Sequence, residues 1–357
     1  MDAFFSDILS NFWLDSAPVS CEPYGSGHVN KTYLVITETG HRYTLQMIGP
    51  AFKDVHALQD NVAAVIKHLH KKTDEKHGAL TLIPTTEGED HYHAPNGKTW
   101  RIYEFIEDGL CLETPETPQD FYQAAIAFGT FQQQLNDFPA ETLHETIPNF
   151  HNTPDRYRIF REVLEADPTG RAKDVAAEIA FVLEREEKAG QLIALLEAGK
   201  LPLRVTHNDT KLNNVMFRAS DRTPLCVMDL DTTMPGLSAY DFGDAIRFGA
   251  STAAEDEKDL DKVWMDLELF RLFTKGYLEA CPGLTDLEKE VLPLGAYTMT
   301  LECGMRFLTD HIDGDNYFSI HREGQNLDRA RTQFKLVADM EAKWEEMVKI
   351  VAKGSNL

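Results

Sequence analysis

The 357-residue chain has no long apolar run and no basic leader. No stretch approaches the roughly 20 consecutive apolar residues that a membrane-spanning helix needs. The first seven residues contain no lysine or arginine, whereas a secretory signal begins with a basic segment. We therefore expect a soluble, globular, cytoplasmic protein with no membrane partner.

Cysteine is scarce and scattered. The chain has five cysteines, an odd number, and no C-x-x-C pair. This usage argues against a disulfide framework and against a structural zinc site. We expect reduced thiols at Cys21, Cys111, Cys226, Cys281 and Cys303.

Basic residues are few compared with acidic ones. The chain has 35 Lys and Arg against 58 Asp and Glu, for a formal net charge of −23. Such a surface repels nucleic acid and anionic lipid, so neither is an expected partner. A cationic small molecule remains compatible with this charge.

The most informative motif in the sequence is Val205–Asn214, V-T-H-N-D-T-K-L-N-N. It has the spacing H-x-D-x-K-x-x-N, which is typical of the catalytic loop of protein kinases. Phosphoryl transfer needs a base to orient the attacking hydroxyl and oxygen ligands to hold Mg²⁺ on the phosphates. The spacing predicts Asp209 as the base and Asn214 as a metal ligand.

A second acidic motif follows the catalytic loop. The apolar run Leu225–Met228 ends in Asp229-Leu230-Asp231, at the distance expected for a metal-binding strand end. Carboxylate oxygens suit Mg²⁺, so Asp229 is predicted as the principal ligand and Asp231 as a further one. The alternative for Asp231 is that it holds the loop by accepting backbone hydrogen bonds.

The tripeptide Asp241-Phe242-Gly243 imitates the metal-binding D-F-G of protein kinases. It lies 32 residues after Asp209, which is too far, and no strand-like apolar run leads into it. Asp229 is therefore favoured over Asp241 as the metal ligand.

Together, H-N-D-x-x-x-x-N, D-L-D and Y-D-F-G-D resemble the aminoglycoside phosphotransferase and choline kinase superfamily. Blocks at 24–30, 204–214, 247–252 and 302–308 also resemble N-acetylhexosamine 1-kinases. The resemblance implies a kinase that uses ATP and Mg²⁺ to phosphorylate the anomeric hydroxyl of N-acetylglucosamine or N-acetylgalactosamine, giving the α-1-phosphate. It further implies that Asp241 buttresses the catalytic loop.

The order of the predicted elements suggests two lobes. Strands dominate the first third and helical periodicity the remainder, as in an α+β, two-lobed protein-kinase-like fold. We expect a small β-rich nucleotide-binding lobe over 1–105 and a helical lobe with the catalytic loop and sugar site over 106–357. A monomer is expected.

Several residues are candidates for binding the nucleotide. A hairpin turn at Gly25-Ser26-Gly27 would let backbone N–H groups approach phosphate. Protein kinases place a phosphate-pairing lysine on the third strand, where this chain has Gln46, so Lys211 is the predicted substitute cation. The segment 101–109 is predicted as the linker between lobes, with Glu104 and Ile106 offering backbone groups to adenine.

Four residues besides Asp209 are predicted to contact the sugar: His28, Phe248, Arg306 and Tyr317. For His28, Phe248 and Arg306 the sequence leaves an alternative open. His28 would instead complete the hairpin turn, and Phe248 would pack in the core. Arg306 would instead pair with Glu302 or Asp310, each four residues away on a helix.

Two other functions remain open from the sequence. A kinase of the same fold could act on choline, an aminoglycoside or homoserine. The chain could also be a non-catalytic nucleotide-binding module.

Overall fold

The computed structural model describes residues 2–25, 30–50 and 52–354. It has an antiparallel sheet in the first third of the chain and a largely helical remainder, which confirms the predicted α+β class. The strands are Pro18–Pro23 (β1), Lys31–Thr37 (β2), Arg42–Met47 (β3), Leu82–Ile83 (β4), Tyr92–His93 (β5), Thr99–Glu104 (β6), Gly109–Leu110 (β7), Arg204–Thr206 (β8), Val215–Arg218 (β9), Pro224–Val227 (β10) and Met234–Gly236 (β11).

The α-helices are distributed along the whole chain. They are Ala3–Leu9 (α1), Val55–Leu69 (α2), Pro118–Gln134 (α3), Thr153–Ala166 (α4), Ala176–Leu183 (α5), Glu186–Ala189 (α6), Gln191–Glu197 (α7), Ser238–Gly249 (α8), Leu267–Ala280 (α9), Asp286–Glu290 (α10), Leu292–Asp313 (α11), Gln325–Ala342 (α12) and Trp344–Lys353 (α13). In the part of the chain that is described, no helix is long and apolar enough to cross a membrane.

The chain forms two compact units built from separate stretches of sequence. The first contains Met1–Leu110, Glu141–Ile147 and Met216–Met234, and the second contains Cys111–Ala140, Pro148–Val215 and Pro235–Leu357. Asp229 and Asp231 therefore belong to the first unit, whereas Asp209 and Asn214 belong to the second. The single lobe boundary after residue 105 stays a prediction.

The first unit is organised around an antiparallel sheet of strand order β1-β2-β3-β6-β4, with β5 also paired to β6. Its core packs Val35, Leu45, Trp100 and Ile102 against the apolar face of α1. The two strands that flank the predicted hairpin turn, β1 and β2, pair antiparallel, and β3 is the predicted third strand. The turn at 95–98 joins β5 to β6, and Arg101, the first residue of the segment predicted as a linker, lies inside β6.

Helix α2 shows how local sequence sets an element of this unit. The Asp54 side chain accepts a hydrogen bond from the backbone N–H of Ala57, which caps the helix N-terminus. Apolar residues recur at helical spacing and are buried on one face, namely Leu58, Val62, Val65, Ile66 and Leu69.

The second unit is built around α11, which packs against α4, α8 and α12. Helices α8 and α11 approach backbone to backbone at Gly243 and Gly295. A Cβ atom on Gly243 would collide with the carbonyl group of Gly295, and one on Gly295 would collide with that of Ala239. The glycine of the D-F-G tripeptide is therefore required by helix packing, which is unrelated to metal binding.

Candidate active site

The predicted base lies in the loop that follows β8 in the second unit. The Asp209 carboxylate has one oxygen 2.9 Å from Lys211 Nζ. Its other oxygen accepts a hydrogen bond of 3.1 Å from the Asn214 amide, which also donates to the Asp209 carbonyl at 2.7 Å. The Asp209 side chain is 30% exposed, so an incoming hydroxyl can reach it. The structure thus brings Asp209, Lys211 and Asn214 together.

Asp241 anchors this loop from α8. Its buried carboxylate accepts hydrogen bonds from the backbone N–H groups of His207, at 2.9 Å, and Asn208, at 2.8 Å. The Thr210 hydroxyl donates to the Asp241 carbonyl at 2.6 Å. Asn208 adopts a φ of +65°, a conformation that needs such support. The contact that the family resemblance implies for Asp241 is confirmed.

A second carboxylate, Asp244, continues the anchor one helical turn later. It accepts hydrogen bonds of 3.0 Å from the Thr210 backbone N–H and from Arg247 Nε. Burial alone would raise the pKa of Asp244, but Arg247 and Lys211 hold it below the usual value. Burial raises the pKa of Asp241. Sequence reasoning missed Asp244, although its i, i+3 spacing from both Asp241 and Arg247 was the available signal.

A cavity of about 360 Å³ opens beside the catalytic loop. Leu212 lines it from the loop, Phe248 and Arg247 from α8, and Gln333 from α12. The side-chain oxygen of Gln333 is buried and has no hydrogen-bond partner in the described structure. An apolar wall with a few polar groups, at this volume, is typical of a small-molecule site.

Arg306 and Tyr317 line a different, smaller cavity of about 170 Å³ in the same unit. The Arg306 guanidinium lies 5.4 Å from the Phe150 ring and 5.8 Å from the Tyr317 ring. Burial and the neighbouring Arg306 lower the pKa of Arg156, which lines the same cavity. The structure does not place Phe248 in one cavity with Arg306 and Tyr317.

The ion pairs offered as alternatives for Arg306 are not formed among the described residues. The Glu302 carboxylate instead accepts hydrogen bonds from His151, at 2.8 Å, and Thr153, at 2.6 Å. Asp310 accepts backbone N–H groups, including that of Tyr317 at 2.8 Å. Arg306 is thus held by aromatic rings, and its guanidinium N–H groups are available to a ligand.

In the first unit, the D-L-D turn separates two carboxylates with different surroundings. Asp229 is exposed and adopts a φ of +54°. Asp231 is buried, and its two oxygens accept hydrogen bonds of 2.6 Å from Arg101 Nη1 and from the Asn30 side chain. Asp231 therefore holds the turn by accepting hydrogen bonds, as in the alternative given from the sequence, but the donors are side chains and not backbone N–H groups.

Gln46 also contacts Arg101. Its side-chain oxygen accepts from Arg101 Nε at 3.0 Å and from Nη2 at 2.9 Å. Its amide nitrogen donates to Thr32 at 3.3 Å.

The other nucleotide candidates are only partly described. Gly25 has a φ of +78°, a turn conformation that favours glycine. Ser26, Gly27 and His28 lie outside the described residues. The Glu104 N–H donates to the Thr81 carbonyl at 2.9 Å, and Ile106 is buried. The roles of Glu104 and Ile106 toward adenine stay predictions.

A family model described as APH, the phosphotransferase enzyme family, matches residues 20–264, more than half of the chain. This chain belongs to the phosphotransferase enzyme family. Similar solved structures include a microcompartment-associated aminopropanol kinase, at 16% identity and a TM-score of 0.68, with 96% of this chain and 98% of that one covered.

Two further structures share the fold. An aminoglycoside phosphotransferase from Alicyclobacillus acidocaldarius has 13% identity and a TM-score of 0.66, with 97% and 96% of the two chains covered. An amicoumacin kinase solved with AMP-PNP, Ca²⁺ and Ami has 15% identity and a TM-score of 0.59, with 95% and 92% covered. At these identities the likeness establishes the shared fold.

The oxygen donors of this phosphotransferase fit a magnesium ion that is shared with a nucleotide. Among the residues described, no three His, Cys, Asp or Glu side chains form a metal-binding group. Mg²⁺ typically takes one or two protein oxygens plus phosphate oxygens and water. An exposed Asp229, followed by a buried and occupied Asp231, matches that sparse pattern.

Proposed function

We propose that this phosphotransferase uses ATP and Mg²⁺ to phosphorylate the anomeric hydroxyl of N-acetylglucosamine or N-acetylgalactosamine. The product is the α-1-phosphate. The observation that carries the proposal is the Asp209 carboxylate, fixed between Lys211 and Asn214 on a loop that Asp241 anchors. The choice of sugar is supported by the resemblance of several sequence blocks to N-acetylhexosamine 1-kinases.

Asp209 serves as the base. The sugar oxygen attacks the γ-phosphorus, the new O–P bond forms, and the bond from that phosphorus to the β,γ-bridging oxygen breaks. ADP leaves, and the hydroxyl proton passes to Asp209. An anomeric hydroxyl is more acidic than an ordinary alcohol, so a carboxylate is a sufficient acceptor. A positioned base needs hydrogen-bond reach to the proton, which the exposed face of Asp209 permits.

Lys211 is proposed to neutralise phosphate charge in place of the lysine that is absent at Gln46. Burial would lower the pKa of Lys211, but Asp209 and Asp244 raise it above the usual value, so the ammonium remains charged. An ammonium has three donors, and only one is needed for Asp209. The others are available for phosphate oxygens of ATP.

When bound, magnesium would neutralise negative charge on the phosphates. We propose Asp229 as its principal ligand in the chain. Asn214 stays a predicted ligand on the strength of the sequence spacing. Its amide nitrogen donates to Asp209, so its side-chain oxygen remains to act as a metal ligand.

The cavity beside Leu212 favours a neutral acceptor with an amide group. Phe248 gives an apolar seat for an acetyl methyl group, and the Gln333 amide can hydrogen-bond a polar group. Recognition of choline needs several aromatic rings around the cation. Among the described residues that line this cavity, Phe248 is the aromatic one, and the Arg247 guanidinium is paired with Glu255, at 2.8 Å, and with Asp244, at 3.0 Å.

The test is the product formed from ATP and N-acetylglucosamine or N-acetylgalactosamine, analysed by phosphorus and proton NMR. We expect phosphorus coupling to the anomeric proton. Choline, an aminoglycoside and homoserine are assayed in parallel for ADP release. Coupling to the C6 protons, or turnover only with one of the other acceptors, would refute the sugar assignment.

Asp209→Asn tests the role of Asp209 as the base, because asparagine keeps the shape of the side chain but cannot take the proton. Turnover should fall by roughly 10²–10⁴-fold, the usual contribution of a general base. ATP binding, followed by calorimetry, should stay near that of the unmodified protein. Near-normal turnover in Asp209→Asn would remove Asp209 from the role of base.

A further inference from the structure

Arg101 is a cation on β6, the strand that neighbours β3 in the sheet. In the antiparallel pairing of β3 with β6, the residue opposite Gln46 is Arg101. Opposite residues of such a pair project from the same face of the sheet. Protein kinases place a lysine on the third strand and pair it with a glutamate of the following helix. Here the cation comes from β6 instead.

Arg101 is enclosed, so it cannot itself serve as a phosphate contact. Its side chain is 1% exposed. Nε and Nη2 donate to the Gln46 oxygen, and Nη1 donates to the Gln59 oxygen at 2.9 Å. The Nε2 atom of Gln59 is buried with no hydrogen-bond partner in the described structure, so Gln59 leaves one donor unsatisfied while it accepts from Arg101.

The carboxylate that compensates this buried charge is Asp231, at 2.6 Å from Nη1. A buried guanidinium needs such a partner. The second Asp231 oxygen accepts from Asn30, and the Asn30 side-chain oxygen accepts from the Gly49 N–H at 2.9 Å. The turn is therefore attached to the sheet at both oxygens of Asp231.

Two residues before Asp231, Asp229 has the uncommon φ of +54°. Such a conformation persists where the surroundings fix it. The turn is also attached at its far end, because the Asn61 side chain donates to the Thr233 carbonyl at 3.1 Å. These contacts set the direction in which Asp229 projects.

We propose that Arg101 is a positioning residue: by fixing Asp231, it holds the D-L-D turn so that Asp229 can bind the magnesium ion of the nucleotide. Asp231 is then a support and not a metal ligand. This inference rests on the proposed function, in which Asp229 is the principal magnesium ligand. Removal of a group that orients a metal ligand typically lowers metal affinity about 10–100-fold.

The experiment measures ADP binding by isothermal titration calorimetry at increasing Mg²⁺, with no sugar present. In Arg101→Met, the Mg²⁺ concentration that gives half of the full increase in ADP affinity (the Mg²⁺ midpoint) should rise about 10–100-fold. ADP binding in EDTA should be unchanged, which a general loss of structure would not allow. Arg101→Lys keeps the charge but lacks the planar guanidinium that reaches Gln46, Gln59 and Asp231 together. Its Mg²⁺ midpoint should therefore lie between those of the unmodified protein and Arg101→Met.

Arg185→Met is the matched control. It removes a guanidinium that makes two hydrogen bonds to Glu341, at 3.0 and 2.8 Å, in the second unit. Its Mg²⁺ midpoint should equal that of the unmodified protein. If the Mg²⁺ midpoint of Arg101→Met equals that of the unmodified protein, the inference is overturned. If Arg101→Met does not fold, the midpoint of Arg101→Lys is compared with that of the unmodified protein instead.

The outcome is distinct from that of the sugar test. A protein that binds Mg–ADP, shows the Arg101 shift and phosphorylates no N-acetylhexosamine would refute the proposed acceptor and support the role of Arg101. Failure of the unmodified protein to bind Mg–ADP would overturn both.

Discussion

Phe248 and Arg306 line separate cavities of the second unit. The two cavities are therefore separate candidates for the acceptor site, and each can be tested through its own residue.

Phe248→Ala and Arg306→Ala are each expected to raise KM for the N-acetylhexosamine, with KM for ATP unchanged. Loss of an apolar wall costs roughly 10-fold or more in discrimination, and loss of a charged hydrogen bond costs about 1.5–3 kcal/mol. Steady-state kinetics with both substrates varied checks the effect. Arg271→Ala is the control, because that guanidinium pairs with Glu268 on α9 and lines neither of these cavities. An unchanged KM in Arg306→Ala would exclude the smaller cavity from the sugar site.

The parts of the site that the sequence could predict are those encoded by short spacing. Asp209, Lys211 and Asn214 fall within six residues, so one loop conformation brings them together. Arg101 could not be found in this way, because its partners Gln59, Gln46 and Asp231 are 42, 55 and 130 residues away in the chain. Only the fold reveals that these side chains meet.

Among the elements, helix α8 was not predicted, although it anchors the catalytic loop. All residues from Ser238 to Arg247 are buried. Its polar residues Asp241, Asp244 and Arg247 do recur at three-residue spacing, but Asp241 and Asp244 bind the buried catalytic loop and do not face solvent. In contrast, the apolar spacing over 54–70 predicts a helix, and α2, which exposes one face, lies within one residue of these ends. The helical periodicity over 172–198 predicts a continuous helix, whereas the structure has a 3₁₀ turn followed by α5, α6 and α7.

The short helix α10 carries a pH-sensitive contact at its N-terminus. Thr285 and Glu288 form a capping box, and the Glu288 carboxylate also accepts from Arg204 at 2.9 and 2.7 Å. Burial would raise the pKa of Glu288, but Arg204 and the Thr285 N–H hold it below the ordinary value of 4.5. A carboxylate whose pKa is lower in the folded state than in the unfolded state stabilises the fold at pH values above the unfolded-state pKa. This stabilisation is lost as the pH falls through the folded-state pKa.

Glu288→Gln should therefore lower the melting temperature at pH 7, by an amount that corresponds to about 3 kcal/mol for a broken buried pair. Below pH 4.5 the unmodified protein loses the same contribution, so the difference between the two proteins should narrow. Thermal melts from pH 7 to pH 3 check this. Glu290→Gln, an exposed position on the same helix, is the control. A difference that stays constant with pH would show that the Arg204 pair does not set the acid response.

For the whole molecule, the net charge of −23 is the dominant electrostatic property. It repels ATP as well as nucleic acid, so the proposed binding of Mg–ATP would need local cations, and we propose Lys211 as one of them. The same excess of carboxylates repels itself within the folded chain, which destabilises the compact state. Exposed ion pairs, such as Arg158 with Glu162, offset little of this, since each contributes about 0–1 kcal/mol.

We therefore expect stability to rise with ionic strength. Between 10 and 150 mM salt the screening length falls from about 30 Å to about 8 Å, which removes repulsion between distant carboxylates before it weakens close ion pairs. The melting temperature should increase by roughly a few degrees, at about 2–4 °C per kcal/mol for a chain of this class. Differential scanning calorimetry in NaCl and in tetramethylammonium chloride separates screening from sodium binding, because screening acts equally in both salts. A melting temperature that falls with salt in both would mean that close ion pairs, and not net repulsion, control the stability of this chain.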